Sequence, residues 1–343
     1  MAYIEICNIF ARKISFMDKI IGIGNALVDA LALVDNDSIL KEIGLYKGGM
    51  QLIGPDMLAS INEKFANTPR RITTGGAACN TMMALAQLGM KPGVVGMIGR
   101  DRFGTLFKQS FIEAGADVRL QECDLPTGVA STFITPDGQR TFGTCLGAAG
   151  NMKPEDLTDD IFKGYDILFV EGYLVQDHSL ISRILEIGKA AGMRICLDMA
   201  SYNIVEHDRD FLQHIVDRYV DIVFANEDEA YAFTQLPEQD AVADLARRCE
   251  VAVVKVGARG AYIRQGYEQV HVPAKDVHVI DTNAAGDYFA AGFLYGHVRG
   301  CSLETCGRIG AELSGNIIQV VGTKLEPEAW DEIKLNIKAI LSE

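Results

Sequence analysis

The 343-residue chain has one tryptophan, nine prolines and a shortage of basic side chains: 32 Lys and Arg against 46 Asp and Glu, a formal charge of −14. Nucleic-acid and anionic-membrane binding rest on counterion release by clustered cations, so this balance argues against both. A small anionic ligand remains open, because backbone amides and one or two cations can hold it. No apolar run reaches the ~18 residues of a membrane span. The eight cysteines include no C-x-x-C pair and no Cys/His ligand spacing, and no H-E-x-x-H string occurs among the six histidines. Cysteines set inside apolar runs read as reduced, inert thiols of a cytoplasmic protein. Met1–Phe16 lacks a basic start, a clean apolar core and an A-x-A site. It reads as an N-terminal extension or a misassigned start ahead of Met17, and as a poor signal peptide.

What is present is an ordinary globular composition, 48% hydrophobic and 23% charged. From Lys19 onward, short β-branched runs alternate with helical stretches. Strands are expected at Ile20–Ile23, Lys91–Ile98, Ile167–Val170, Arg194–Leu197, Ile222–Ala225, Val251–Val256 and Val277–Ile280. Helices are expected over Ala77–Leu88, Phe103–Ala114, Ser179–Ala191, Ala241–Arg248 and Tyr288–Val298. Near-continuous Val, Ile and Leu strands separated by helices imply a parallel sheet buried on both faces, a three-layer, doubly wound α/β fold. Ala30–Leu52 and Val118–Leu146 break the rhythm, with turn signals such as Pro136-Asp137-Gly138. They predict a small antiparallel sheet serving as a lid on one domain spanning residues 17–343.

The segment richest in chemistry is Asp281-Thr282-Asn283-Ala284-Ala285-Gly286-Asp287, followed by a helical run. A small-residue turn opening a helix exposes amides at the positive end of the helix dipole, an anion site. Asp287 beside such a turn repels an anion unless it has another task, and taking a proton from an attacking hydroxyl is one. An ordinary N-cap aspartate is the alternative.

Asp281–Asp287 resembles the D-T-x-[GA]-A-G-D signature of the ribokinase/adenosine kinase superfamily, the PfkB-type carbohydrate kinases. Four further strings, in family order, resemble its other elements. They are Gly75-Gly76 through Asn80 (G-G-x-x-x-N), Ile98–Gly104 (I-G-x-D-x-F-G), Asn226–Glu229 (N-x-x-E) and Gly257–Ala261 (G-x-x-G-A). The resemblance implies an ATP-dependent phosphotransferase. Asp287 would be the general base, and the amides of Ala284, Ala285 and Gly286 the hole for phosphoryl charge. Asn226 and Glu229 would organise Mg²⁺, through water. Asn226, Gly257, Gly260, Thr282 and Gly322 would lie along the nucleotide. By resemblance alone, a monovalent cation such as K⁺ has a place near Asp281 and the Val320–Gly322 loop. Lys255 departs from the family pattern, where Thr is common, and either touches phosphate or points to solvent.

For the acceptor, Gly24-Asn25-Ala26-Leu27-Val28-Asp29 follows the first strand. Leu27 stands where a dinucleotide fingerprint needs its third glycine, so a dehydrogenase reading fails. The G-N-x-L-x-D string resembles the adenosine-kinase-like branch. Asp29 would then bind two vicinal ribose hydroxyls, with Asn25, Gly75, Gly76 and Asn80 in the same pocket and Arg140 approaching phosphate from the lid. The expected acceptor is a ribonucleoside such as adenosine, with a ribokinase- or fructokinase-like sugar kinase as the alternative. A non-catalytic nucleotide-binding regulator is a further one. Small-molecule partners only are expected, for a monomer or homodimer.

Overall fold

A computed structural model describes residues 19–137 and 139–343, so the Met1–Phe16 extension lies outside the described residues. The fourteen strands among them are numbered in chain order. Ile20–Ile23 (β1) is buried at every position, since it runs through the middle of a sheet covered on both faces. With β5 (Gly93–Gly99), β6 (Asp117–Cys123), β9 (Ile167–Glu171), β10 (Arg194–Asp198), β11 (Ile222–Asn226) and β12 (Val251–Lys255) it forms the parallel part of the sheet. A hairpin of β13 (Ala261–Gln265) and β14 (Glu268–Val272) extends it antiparallel, giving the order β14-β13-β12-β11-β10-β9-β1-β5-β6.

Helices cover both faces. On one, Ala77–Gln87, Ala285–His297, Leu303–Ile317 and Pro327–Ile340 bury Leu85, Phe293, Ile309 and Ile333. On the other, His178–Ala190, Arg209–Tyr219 and Glu238–Arg248 bury Ile184, Ile215 and Leu245. The doubly wound α/β expectation holds. Among the described residues, no helix is long and apolar enough to cross a membrane.

The small second sheet has the order β3-β8-β7-β2-β4, from Met50–Leu52 (β3), Arg140–Cys145 (β8), Gly128–Ile134 (β7), Leu27–Leu33 (β2) and Arg71–Gly75 (β4). It differs from expectation in three ways. It is mixed, because β2 runs parallel to β7 and β3 to β8. Asp117–Cys123 belongs to the main sheet, with Val94 opposite Val118. As an edge strand it is only half-buried, so its broken pattern resembled a lid strand. Arg71–Gly75, unassigned from sequence, pairs antiparallel with β2. The expected strand Val277–Ile280 is irregular chain. Val279 and Ile280 are 52% exposed, and the Ile280 and Asp281 amides donate to the Ile318 carbonyl.

Candidate active site

Parallel strands aim their carboxyl ends at one edge, where doubly wound sheets bind ligands. Here four neighbouring strands end on polar residues: Glu171 (β9), Asp198 (β10), Asn226 (β11) and Lys255 (β12). Asp198 stands opposite Glu171 in the ladder, and Lys255 opposite Asn226. A cleft of about 930 Å³ opens over this edge. Asp29, Gly76 and Asn80 line it, as do Asn226, Glu229, Gly257 and Gly260. Thr282 and Ala284 through Asp287 complete that wall.

Asp287, half-buried, lies in the first turn of the Ala285–His297 helix. The Asn80 amide donates to its Oδ2 at 2.8 Å. Burial, then the charges of Asp198 and Glu171, push its pKa up to about 8, against the pull of Asn80 and Lys255. Ala284 adopts a left-handed conformation, φ +61°, which costs an alanine about 1 kcal/mol. Glycine has no such cost, which accounts for its use at this position in the signature. The Ala284 amide donates to Asn283 Oδ1 (3.1 Å) and the Ala285 amide to the Thr282 carbonyl (3.3 Å). Two amides of the expected anion hole therefore have intramolecular partners, which an anion would have to displace.

Lys255 does not point to solvent. Its half-buried Nζ lies in the cleft wall, 3.2 Å from Asp198 Oδ2. A Cβ added to Gly286 would fall 2.9 Å from that Nζ. Burial alone would lower the lysine's pKa, but Asp198, Glu229 and Asp287 outweigh it and raise it. Glu229 is buried and accepts from the Asn226 amide (2.7 Å) and side chain (2.8 Å), while Asn226 caps the Glu229 amide in return. This reciprocal cap starts the Glu227–Thr234 helix. Burial and Asp198 raise the Glu229 pKa against Lys255.

At the far wall the half-buried Asp29 has a carboxyl pKa of about 7, raised by desolvation against a hydrogen bond from Thr323 and the charge of Arg140. It lies over Gly75, where a Cβ would come within 2.4 Å of Oδ1. Gly75 therefore serves the pocket by making room for a carboxylate. Gly76, at φ +95°, would drive a Cβ into the Asn25 carbonyl.

Three expected residues are placed differently. Asn25 turns away from the cleft and donates to the buried Glu171 Oε1 at 2.7 Å, while Glu171 Oε2 accepts from the Ala78 amide. Arg140 is ion-paired with the fully buried side chain of Asp281. It lines an adjoining recess of about 580 Å³ that shares Phe142, Thr282 and Asn283 with the cleft, and its charge reaches Asp29. Gly322, at φ +93°, donates its amide to Asp281 Oδ2 at 2.6 Å, so it fixes the signature's first aspartate from behind. Sequence reading missed Asp198, Glu171 and Thr323. The first two were legible as the polar residues immediately following apolar strands.

Among solved structures, adenosine kinase from Sinorhizobium meliloti is 32% identical and superposes with a TM-score of 0.84, covering 93% of this chain and 99% of its own. A probable sugar kinase from Rhizobium etli CFN 42 is 30% identical at the same TM-score of 0.84, covering 93% and 98%. Adenosine kinase 2 of Arabidopsis thaliana is 26% identical over 328 residues, 88% of this chain and 94% of that relative. Residues 62–330 match the pfkB family of carbohydrate kinases. This chain belongs to that family, as a phosphotransferase of the sugar or nucleoside kinase type.

Proposed function

We propose that the chain transfers the γ-phosphoryl group of ATP to the primary hydroxyl of a ribonucleoside, with adenosine as the leading candidate. One observation carries the reading: two half-buried carboxyl groups, Asp287 and Asp29, line the same cleft, and desolvation there raises the pKa of each. Asp287 stands beside the small-residue turn and a lysine, an environment for phosphate. Asp29 stands apart from cations other than Arg140, an environment for neutral hydroxyls. A carboxylate accepts from two vicinal hydroxyls at once, which suits a ribose. The adenosine kinases among the relatives favour a nucleoside over a free sugar.

In the step proposed, the acceptor oxygen attacks the γ-phosphorus in line as its proton passes to Asp287. The bond from phosphorus to the β,γ-bridging oxygen breaks and ADP leaves. The amides of Ala284, Ala285 and Gly286 take the charge on the equatorial oxygens. Asn80 holds the Asp287 carboxylate in place.

Asn226 and Glu229 would hold Mg²⁺ through water, as the family implies. The donor set fits. Each Glu229 oxygen keeps an acceptor site beyond its bond to Asn226, and the surrounding carboxylates exceed the cations. When bound, the metal neutralises phosphate charge.

The test is ATP consumption across nucleosides and free sugars. Adenosine or a close ribonucleoside should exceed ribose and fructose in kcat/KM. Preference for a free sugar would favour the sugar-kinase alternative, to which the Rhizobium etli neighbour is the pointer.

A further inference from the structure

Lys255 ends β12 in the wall of the cleft, and its geometry is that of a group held in waiting. Its Nζ is 3.2 Å from Asp198 Oδ2, longer than the ~2.7–2.9 Å usual for an ammonium–carboxylate hydrogen bond. Asp198 has one further partner, since its Oδ1 accepts from the Ala200 amide at 2.9 Å. On its other side, Nζ lies against the Cα of Gly286, so near that any Cβ there would meet it at 2.9 Å. Gly286 is part of the turn that receives phosphate in the reading above. The other lysine lining the cleft, Lys275, is bound at 2.8 Å to Glu312, which Asn316 and Asn336 also hold. Lys255 is therefore the cleft lysine free to change partner, on a flexible four-carbon stem.

We infer that Lys255 leaves Asp198 when ATP binds and contacts the γ-phosphoryl group beside Gly286, as an ATP-specific cation of this chain. A phosphoryl oxygen offers the ammonium a stronger charge partner than a long bond to a shared carboxylate. Lys255 then follows the phosphoryl charge through transfer. The inference rests on the phosphoryl site proposed above, but not on the identity of the acceptor.

The test is calorimetric binding of ATP and ADP in Mg²⁺ buffer, without acceptor, to the wild-type chain and Lys255→Met. Loss of a charge-assisted contact should weaken ATP by ~10–100-fold and leave ADP within a few-fold. Because Lys255→Met strands a buried carboxylate, Lys255→Met/Asp198→Asn is the companion variant, and it should show the same ATP-specific loss. Lys255→Arg should recover part of the ATP affinity. Equal weakening of ATP and ADP, or no change in either, would overturn the inference. Failure of the acceptor reading would show only in the substrate screen. Failure of the base assignment would show only in the turnover of Asp287 variants.

Discussion

The side-chain amide of Asn80 donates to Asp287 Oδ2 across 2.8 Å, joining residues 207 positions apart at the starts of two packed helices. The bond favours the charged form of a carboxyl group that burial otherwise holds protonated. In the reading proposed above, Asn80 is a positioning residue for Asp287.

That relationship sets the pH dependence of the reaction. A base works when deprotonated, so kcat/KM should rise with pH through about 8, the value for Asp287. Asn80→Ala removes a donor to the charged form and should move the acid limb upward by roughly one unit. The profile between pH 6 and 9.5 checks this. An unmoved limb in a folded variant would separate Asn80 from Asp287 function.

The same groups make the ligand-free chain less stable as pH rises. Asp287 goes from an ordinary 3.8 to about 8 on folding, and Asp29 from 3.8 to about 7. Across those windows the native state holds protons the unfolded chain has lost, so stability falls with increasing pH. Asp287→Asn should raise the melting temperature relative to wild type at pH 8 and make little difference at pH 4. Thermal melts at the two pH values measure it.

Acceptor selection should rest on Asp29. A missing hydroxyl leaves a half-buried carboxylate without its partner, at about 1.5–3 kcal/mol or ten- to a hundred-fold in kcat/KM. Adenosine should exceed 2′-deoxyadenosine by that margin, and Asp29→Ala should narrow the gap while slowing both. Gly75→Ala, whose Cβ would press within 2.4 Å of Asp29 Oδ1, should raise the acceptor KM with little change in the KM for ATP. Steady-state kinetics of the wild type and the two variants, with both nucleosides, decide the point.

Arg140 and Asp281 tie the small sheet to the signature loop through a largely buried ion pair. Removing one partner of such a pair costs about 3–5 kcal/mol, whereas replacing both costs less. Arg140→Gln should therefore lower stability to urea more than Arg140→Gln/Asp281→Asn does. A double-mutant cycle with no coupling would contradict the pairing.

How much of this was legible depended on whether a residue's surroundings lie close in sequence. The buried strands could be read because each is apolar throughout, as Ile167–Val170 and Val251–Val254 are. Asp287 and its turn could be read because the whole device is seven consecutive residues. The Asp101 turn was legible as a motif but not as a structural one. Its carboxylate accepts from the Gly104 amide and from the amide and hydroxyl of Thr127, tying the sheet edge to the start of β7. The partners of Asn25 and Arg140, Glu171 and Asp281, were not legible because they lie over a hundred residues along. The edge strand β6 misled because its half-buried pattern fits either sheet.

The measurement closest to the central claim is the turnover of Asp287→Asn with ATP and the best acceptor from the substrate screen. The substitution keeps the shape and removes the proton acceptor. The account predicts a folded chain with ATP affinity retained and kcat reduced by ~10²–10⁴. Near-wild-type kcat in a folded Asp287→Asn protein would contradict it.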